Sequence, residues 1–243
     1  MHAVLLALPM LLTAATPRTP VLVELFTSEG CSSCPSADDS LARLAQKQPV
    51  EGAELIALGF HVDYWDSLGW KDPYAAPEYG ARQRRYVLDG DENRVYTPQM
   101  VVDGERTFVG NEEEARAQAA AAAKRPKVPL NLTARVEGSA VVVRVRTETA
   151  PAEGLELWAA LAEDGLSSEV KRGENAGRKL VHAAVVRTLA SLPAPKAAEG
   201  SFVSEARLKL APGWKREKLR AVVVLQAPGG AVRGAAAVEL AQR

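Results

Sequence analysis

The chain carries its two cysteines, Cys31 and Cys34, at the junction between two periodic segments. Residues 21–26 before them are apolar except for Glu24, a pattern that predicts a strand covered on both faces. Apolar residues in the segment 37–45 after them recur with the spacing of an amphipathic helix. The strand, the Cys-Ser-Ser-Cys-Pro segment and the helix together indicate an α/β arrangement with both sulfurs at one end of a sheet.

Two sulfurs at this spacing can close a small disulfide, and the N-terminus of a helix stabilises the thiolate of the first cysteine. Cys31 is then the attacking thiol and Cys34 the resolving thiol. A C-x-x-C can also supply half of a metal site or form an inert disulfide. So short a ring gains little chain entropy, however, and stability alone is a weak reason for the bond. With only two cysteines, a Cys-only zinc site and a disulfide-stapled miniprotein are excluded.

The N-terminal residues 1–16 are predicted to be a signal peptide. Residues 3–12 are almost wholly apolar, too few to span a bilayer, and Thr13 and Ala15 supply small side chains at the −3 and −1 positions of a cleavage site. An uncleaved anchor and a misassigned start are the alternatives. We expect a periplasmic or secreted protein with no stable membrane span after cleavage, in a compartment where a C-x-x-C pair can form a disulfide.

The charge of the chain is balanced, with 30 Lys and Arg residues against 30 Asp and Glu residues. No global field therefore favours nucleic acid or an anionic membrane, and we expect no nucleic-acid partner. Hydrophobic residues make up 47% of the 243 residues, which is enough to bury a core in one large domain or two ordinary ones.

Two segments of different periodicity follow the signal peptide. Residues 19–125 predict the order β-α-β-α-β-β-α, with a hairpin turn at Asp103-Gly104 and a capping box that starts at Asn111. Two prolines in the segment 124–129 indicate a linker. Residues 128–243 predict a β-sandwich whose strands cover residues 130–136, 141–147, 155–162, 180–189, 202–210, 219–226 and 232–240.

The order of elements, the C-x-x-C at the first helix and Thr97-Pro98 before the third strand resemble the thioredoxin fold. The segments 25–35, 61–73, 96–104 and 173–177 together resemble a bacterial family of exported thioredoxin-like proteins that is catalogued as a domain of unknown function. The fold class expected from this resemblance is an α/β thioredoxin-like domain followed by an all-β sandwich-like domain.

The resemblance to thioredoxins implies roles for five residues. Cys31 matches the nucleophile, Cys34 the resolving thiol, and Pro98 the cis-proline that faces the cysteine pair. The backbone of Thr97 would bind an extended substrate segment as an added strand. Glu24 resembles the buried carboxylate that helps to deprotonate the resolving cysteine, although it lies seven residues before the nucleophile instead of six and replaces Asp. A carboxylate in an apolar run favours proton transfer over a plain salt bridge as its role.

Ser32 and Ser33 stand where thioredoxins usually carry Gly-Pro. Two hydroxyl groups can donate hydrogen bonds to a thiolate, which stabilises the reduced form. We therefore expect the pair to be more oxidising than that of thioredoxin, with both serines near the bound substrate.

The loop after the second strand contains His61, Trp65 and Trp70 and should lie at the same end of the sheet as Cys31. In one interpretation the two indoles line a substrate groove, and His61 serves as a base or joins the two sulfurs as a Cu(I) ligand. In the other, the loop is a packed cap over the sheet, with His61 hydrogen-bonded to Asp63 or Asp66. The cap is favoured for the indoles, and the two interpretations are balanced for His61.

Polar residues of the second half have a structural interpretation. Glu174 and Asn175 lie between Gly173 and Gly177, a pattern typical of a tight turn, and His182 follows in a strand where one hydrogen-bonding partner would satisfy it. We expect a turn-stabilising role for these residues instead of a binding site.

The leading function predicted from the sequence is thiol-disulfide exchange through Cys31 and Cys34, with protein thiols or disulfides and a redox partner as the molecules it meets. We expect no bound cofactor for this function, since the redox-active disulfide itself is the reacting group. The alternatives are copper handling, with Cys31, Cys34 and His61 as ligands of Cu(I), and a non-catalytic binding module whose disulfide only shapes a docking edge.

Overall fold

The computed structural model describes residues 18–87 and 95–240. The predicted signal peptide, residues 1–16, lies outside this part of the chain. No helix among the described residues is long and apolar enough to cross a bilayer.

The order of elements predicted for residues 19–125 is confirmed, and a longer series of strands follows it. The first part contains β1 (Thr19–Thr27), α1 (Pro35–Lys47), β2 (Ala53–His61), a 3-10 helix (Asp63–Leu68), α2 (Pro77–Arg84), β3 (Gln99–Val102), β4 (Arg106–Val109) and α3 (Glu112–Ala122). The second part contains β5 (Asn131–Glu137), β6 (Ala140–Thr147), β7 (Glu156–Glu163), β8 (Leu166–Glu169), β9 (Lys179–His182), β10 (Val185–Leu192), β11 (Lys196–Ala198), β12 (Ser201–Lys209), a 3-10 helix (Arg216–Lys218), β13 (Leu219–Gln226) and β14 (Val232–Glu239).

A mixed sheet of eight strands runs through both parts of the chain in the order β14-β13-β7-β10-β2-β1-β3-β4. β1 and β2 are parallel, and β10 extends the sheet by pairing parallel to β2 at Val185 and Gly59. The Gly59 N–H donates to the Ala184 carbonyl at 2.8 Å, and a Cβ at Gly59 would lie 3.4 Å from the Ala183 carbonyl oxygen. Glycine thus permits the close approach of β10. The sheet continues across the linker predicted at 124–129.

Two smaller antiparallel sheets are also present in the described part of the chain. One has the order β11-β12-β6-β5, and the other is the hairpin of β8 and β9. The four-stranded sheet packs on β7 and β13 through a core that includes Val143, Leu208, Leu161 and Val223. In the first part of the chain, α1 and α3 cover the corresponding face of the large sheet around Val23.

The opposite face of the large sheet is covered by α2 and its aromatic side chains. Phe26, Phe60 and Tyr79 pack there, and Trp158 of β7 joins the same cluster. Alternation along β1 separates the two faces, because Leu22 and Phe26 belong to this cluster whereas Val21, Val23 and Leu25 pack towards α1.

Local sequence signals and observed elements agree closely in the first part. The Asn111 side chain accepts from Glu114 N–H at 3.0 Å, which confirms the predicted cap of α3. β3 and β4 form the hairpin predicted around Asp103-Gly104, although three residues, 103–105, connect the strands instead of two. In the second part, the predicted strand 180–189 is divided into β9 and β10, because Ala184 adopts a positive φ of 55° that interrupts extended backbone.

Candidate functional site

Cys31 and Cys34 form a disulfide at the start of α1, with their Cα atoms 5.4 Å apart. Cys34 is the N-cap of the helix, and Pro35 follows in its first turn. Both cysteines are buried, with 1% of Cys31 and none of Cys34 exposed, whereas Ser32 and Ser33 between them are exposed. Ser33 Oγ lies 3.4 Å from Cys31 Sγ. The two serines are therefore the exposed part of the C-x-x-C segment.

A loop of the second half, between β8 and β9, contacts the backbone of the C-x-x-C segment. Glu174 Oε2 accepts from the Ser32 N–H at 2.9 Å. The Asn175 amide donates to the carbonyl oxygens of Glu29 and Cys31, both at 2.9 Å, and is itself 1% exposed. The turn expected at 173–177 exists, but its polar side chains bind the cysteine segment in addition.

Five buried ionisable residues lie beside the disulfide, and we call them the Glu29 cluster: Glu29, Asp38, His61, Asp72 and His182. Glu29 Oε1 lies 3.0 Å from His182 Nε2, and Glu29 N–H donates to Asp72 Oδ2 at 2.8 Å. Asp72 Oδ2 also lies 2.7 Å from His61 Nδ1. The two imidazole rings meet edge to face, with centroids 4.7 Å apart. Glu29, two residues before Cys31, thus joins two histidine–carboxylate pairs.

The charges of the Glu29 cluster shift the pKa values of His182 and Asp72. Burial by itself lowers the pKa of His182, but its interactions with Asp38 and Glu29 outweigh this effect and raise the pKa to about 9. His182 Nδ1 lies 3.6 Å from Asp38 Oδ2, a distance suited to an ion pair but too long for a good hydrogen bond. Burial raises the pKa of Asp72, yet the pairing with His61 and two backbone N–H donors leave it below the usual value.

Both tryptophans of the loop after β2 donate hydrogen bonds within the protein. Trp70 Nε1 donates to Glu29 Oε2 at 2.8 Å, and Trp65 Nε1 donates to Thr97 Oγ1 at 2.8 Å. Trp65 also packs on the backbone at Gly30, where a Cβ would lie 3.3 Å from the tryptophan Cβ. Both side chains are half-buried. These contacts fit a packed cap, while contact with a substrate stays a prediction.

The Thr97–Pro98 peptide bond is cis. The Pro98 carbonyl accepts from Gly110 N–H at 3.1 Å. A Cβ at Gly110 would lie 2.4 Å from Ala37 Cβ and 3.4 Å from Pro98 Cβ, so Pro98 lies beside the first turn of α1. The structure thus brings Pro98 and Thr97 to the end of the sheet that holds the cysteines.

Glu24 takes part in a different buried group, the Glu24 cluster of Glu24, Arg82, Tyr86 and Gln226. Arg82 Nε donates to Glu24 Oε1 at 2.6 Å, and Tyr86 OH donates to Glu24 Oε2 at 2.5 Å. Glu24 alternates with Val23 and Leu25 along β1, so its side chain lies on the face of the sheet opposite α1. The interpretation from sequence preferred proton transfer to a salt bridge, whereas the structure contains the salt bridge.

The copper alternative requires Cys31, Cys34 and His61 to converge on one point. In the structure the two sulfurs are bonded to each other and His61 Nδ1 faces Asp72. No group of three His, Cys, Asp or Glu side chains within residues 18–87 and 95–240 has the arrangement of a metal site. His61 is therefore a buried, carboxylate-bound histidine, but its partner is Asp72 and not Asp63 or Asp66 as expected from the sequence.

Sequence reasoning did not assign Glu29, Asp72, Asn175 and His182 to one site. Glu29 and Asp72 are close in sequence to residues that it selected, but Asn175 and His182 are 146 and 153 residues from Glu29. The segment Gly-Glu-Asn-Ala-Gly was the available signal, since residues 173–177 are among the segments that carry the family resemblance.

Comparisons with known proteins cover both halves of the chain. A family model described as "Protein of unknown function (DUF1223)" matches residues 22–226. Ten chains among the solved structures match. One is the X-ray crystal structure of protein AGR_C_4864 from Agrobacterium tumefaciens, 25% identical with a TM-score of 0.69, over 94% of this chain and 98% of that chain. No curated protein matches.

Proposed function

Because the chain belongs to the DUF1223 family of unknown function, its activity has to be argued from its own residues, and we propose that it is an exported thiol-disulfide oxidoreductase acting on protein substrates. The observation that carries the proposal is the Cys31–Cys34 disulfide at the N-terminus of α1. A helix N-terminus stabilises thiolates, which are both the attacking and the leaving groups of disulfide exchange.

The proposed exchange proceeds in two steps. A substrate thiolate attacks Cys31 Sγ, a mixed disulfide forms, and Cys34 leaves as a thiolate that takes up a proton. A second thiolate of the substrate then attacks the substrate sulfur of the mixed disulfide and releases the Cys31 thiolate. The substrate loses two electrons and gains a disulfide, and the Cys31–Cys34 pair gains two electrons and becomes a dithiol.

The contact between Ser33 and Cys31 supports oxidation of substrates as the direction. A hydroxyl 3.4 Å from the sulfur can donate to the Cys31 thiolate and stabilise the reduced pair. Ser32 and Ser33 form the exposed surface over the bond, and Trp65 holds Thr97 near it through the indole hydrogen bond. We therefore include these residues and Pro98 in the surface that meets the substrate.

The proposal includes the wider context expected from the sequence. We propose export through the signal peptide of residues 1–16 to the periplasm or the medium, where an oxidising partner can renew the disulfide. We also propose a thioredoxin-like domain over 19–125 and a β-sandwich-like domain over 128–243, joined here by the eight-stranded sheet.

The equilibrium between the pair and glutathione tests the function. An oxidoreductase should show a reversible couple between about −270 and about −120 mV, the range of known exchangers of this kind. The Cys34→Ser variant, which lacks the resolving thiol, should accumulate a mixed disulfide at Cys31. A wild-type disulfide that resists reduction far below this range would contradict the proposal and favour a binding module. Copper retained by the reduced protein, and lost in Cys34→Ser, would favour metal handling instead.

A further inference from the structure

The loop of residues 170–178 contacts the cysteine segment from two sides. Glu174 accepts the Ser32 N–H at 2.9 Å. Asn175 donates to the carbonyl group of Glu29 and to that of Cys31, the first cysteine. Three backbone groups in four consecutive residues, 29–32, are thus bound by side chains more than 140 residues away.

The orientation of Asn175 is fixed within its own loop. Arg178 Nη1 donates to Asn175 Oδ1 at 2.8 Å, so the amide oxygen faces a cation while the amide nitrogen faces two carbonyls. Gly177 N–H donates to the Val170 carbonyl at 2.8 Å and closes the base of the loop. Gly173 has a φ of 77° and packs on Trp70, where a Cβ would lie 3.2 Å from the tryptophan Cβ.

We propose that Asn175 and Glu174 are positioning residues that hold the C-x-x-C segment in its disulfide-bonded conformation and thereby set the redox equilibrium of the Cys31–Cys34 pair. The inference rests on the exchange activity proposed above. It assigns the second half of the chain a share in the chemistry, because both residues belong to the loop between β8 and β9.

The direction of the effect follows from the contacts. Asn175 makes its hydrogen bonds to the C-x-x-C segment in the conformation that the segment has with the disulfide formed. Reduction breaks the S–S bond and removes the constraint that this bond places on the segment. The Glu174 carboxylate accepts from the N–H of Ser32, the residue that follows Cys31. Its negative charge disfavours a thiolate at Cys31 in the reduced pair. Both contacts therefore favour the disulfide form over the dithiol form.

The test is the equilibrium constant with glutathione, in which two glutathione thiols become one glutathione disulfide as the Cys31–Cys34 bond is reduced. Asn175→Ala and Glu174→Ala should each shift the constant towards the dithiol by about threefold or more. Urea unfolding of the oxidised and reduced forms completes the cycle. A purely structural hydrogen bond would destabilise both forms equally and leave the constant unchanged.

Ser204→Ala is the matched control, because Ser204 Oγ is buried in β12 and donates to the Pro193 carbonyl at 2.7 Å. This variant loses a hydrogen bond between a side chain and the backbone in the second half of the chain. It should keep the wild-type equilibrium constant with glutathione. If Asn175→Ala and Glu174→Ala also keep it, the inference is overturned while the proposed exchange stands. If Asn175→Ala does not fold, Glu174→Ala alone tests the inference, because Glu174 is exposed. A wild type with no reversible couple overturns both.

Discussion

The Glu24 cluster and the Glu29 cluster are two buried polar groups that tie the first half of the chain to the second, yet they differ in the kind of charge they hold. The Glu24 cluster pairs one carboxylate with a guanidinium, which stays protonated at any pH where the protein is folded. The Glu29 cluster pairs carboxylates with two imidazoles, and the raised pKa of one of them, His182, makes its charge depend on pH.

Their positions differ as well. Glu24 lies on the face of the sheet away from α1, and Gln226 of β13 completes its contacts through Arg82 and Tyr86. Glu29 lies two residues before Cys31. The comparison indicates that the first cluster contributes only stability, whereas the second lies next to the C-x-x-C segment and contains a histidine, His182, whose contribution to stability depends on pH. Each of the following variants tests that division.

The largest effect is expected for Arg82→Met. This change leaves the Glu24 carboxylate buried without its cation, which should lower the free energy of unfolding by about 3–5 kcal/mol. Arg82 also packs over the Trp158 ring at 3.8 Å, and methionine retains part of that contact. Urea unfolding measures the loss, and the equilibrium with glutathione should not change. A shift of that equilibrium would break the division between the clusters.

Arg43→Met provides the control for the first variant, because the Arg43–Glu112 pair is partly exposed. Its loss should cost less than about 1 kcal/mol. Equal losses in the two variants would mean that burial of the Glu24 pair has no special importance.

The second effect concerns pH and the raised pKa of His182. Protonated His182 contributes stability that is fully present below about pH 6.5 and is lost as the pH rises towards about 9. The contribution is on the order of 3 kcal/mol. Urea unfolding at several pH values should show a steeper loss for the wild type than for His182→Gln over this window. Parallel curves for the two proteins would contradict the assignment.

A smaller effect is expected for Trp70→Phe, which removes the indole donor from Glu29 Oε2 and should lower the free energy of unfolding by about 2 kcal/mol. Trp65→Phe removes a donor from the neutral Thr97 hydroxyl and should cost about 1 kcal/mol. Unfolding of both variants in urea gives the comparison. If Trp70→Phe is as stable as the wild type, the indole is free to serve a substrate, and the cap interpretation fails for it.

The sequence was sufficient where structure depends on neighbours in the chain. The strand before Cys31, the helix after Cys34 and the cap at Asn111 follow from periodicity and from residues within one or two turns. The order of strand and loop also predicts that His61 lies at the same end of the sheet as Cys31.

Sequence reasoning was insufficient where a side chain finds a distant partner. The sequence does not distinguish a carboxylate that transfers protons from one that binds a cation. The cation that binds Glu24 belongs to Arg82, 58 residues away. The pairing of β10 with β2 was also hidden, because an isolated Gly59 in a strand signals a close approach without saying which segment approaches.

That pairing determines how the molecule could be divided. A chain cut in the segment 124–129 would leave β2 with an unpaired edge along the backbone that β10 now covers at Gly59. It would also remove β13 and β7, with its Trp158, from the side of α2, exposing apolar surface around Phe60. Bare strand edges recruit other chains, so the isolated first half is expected to self-associate instead of serving as a small soluble exchanger.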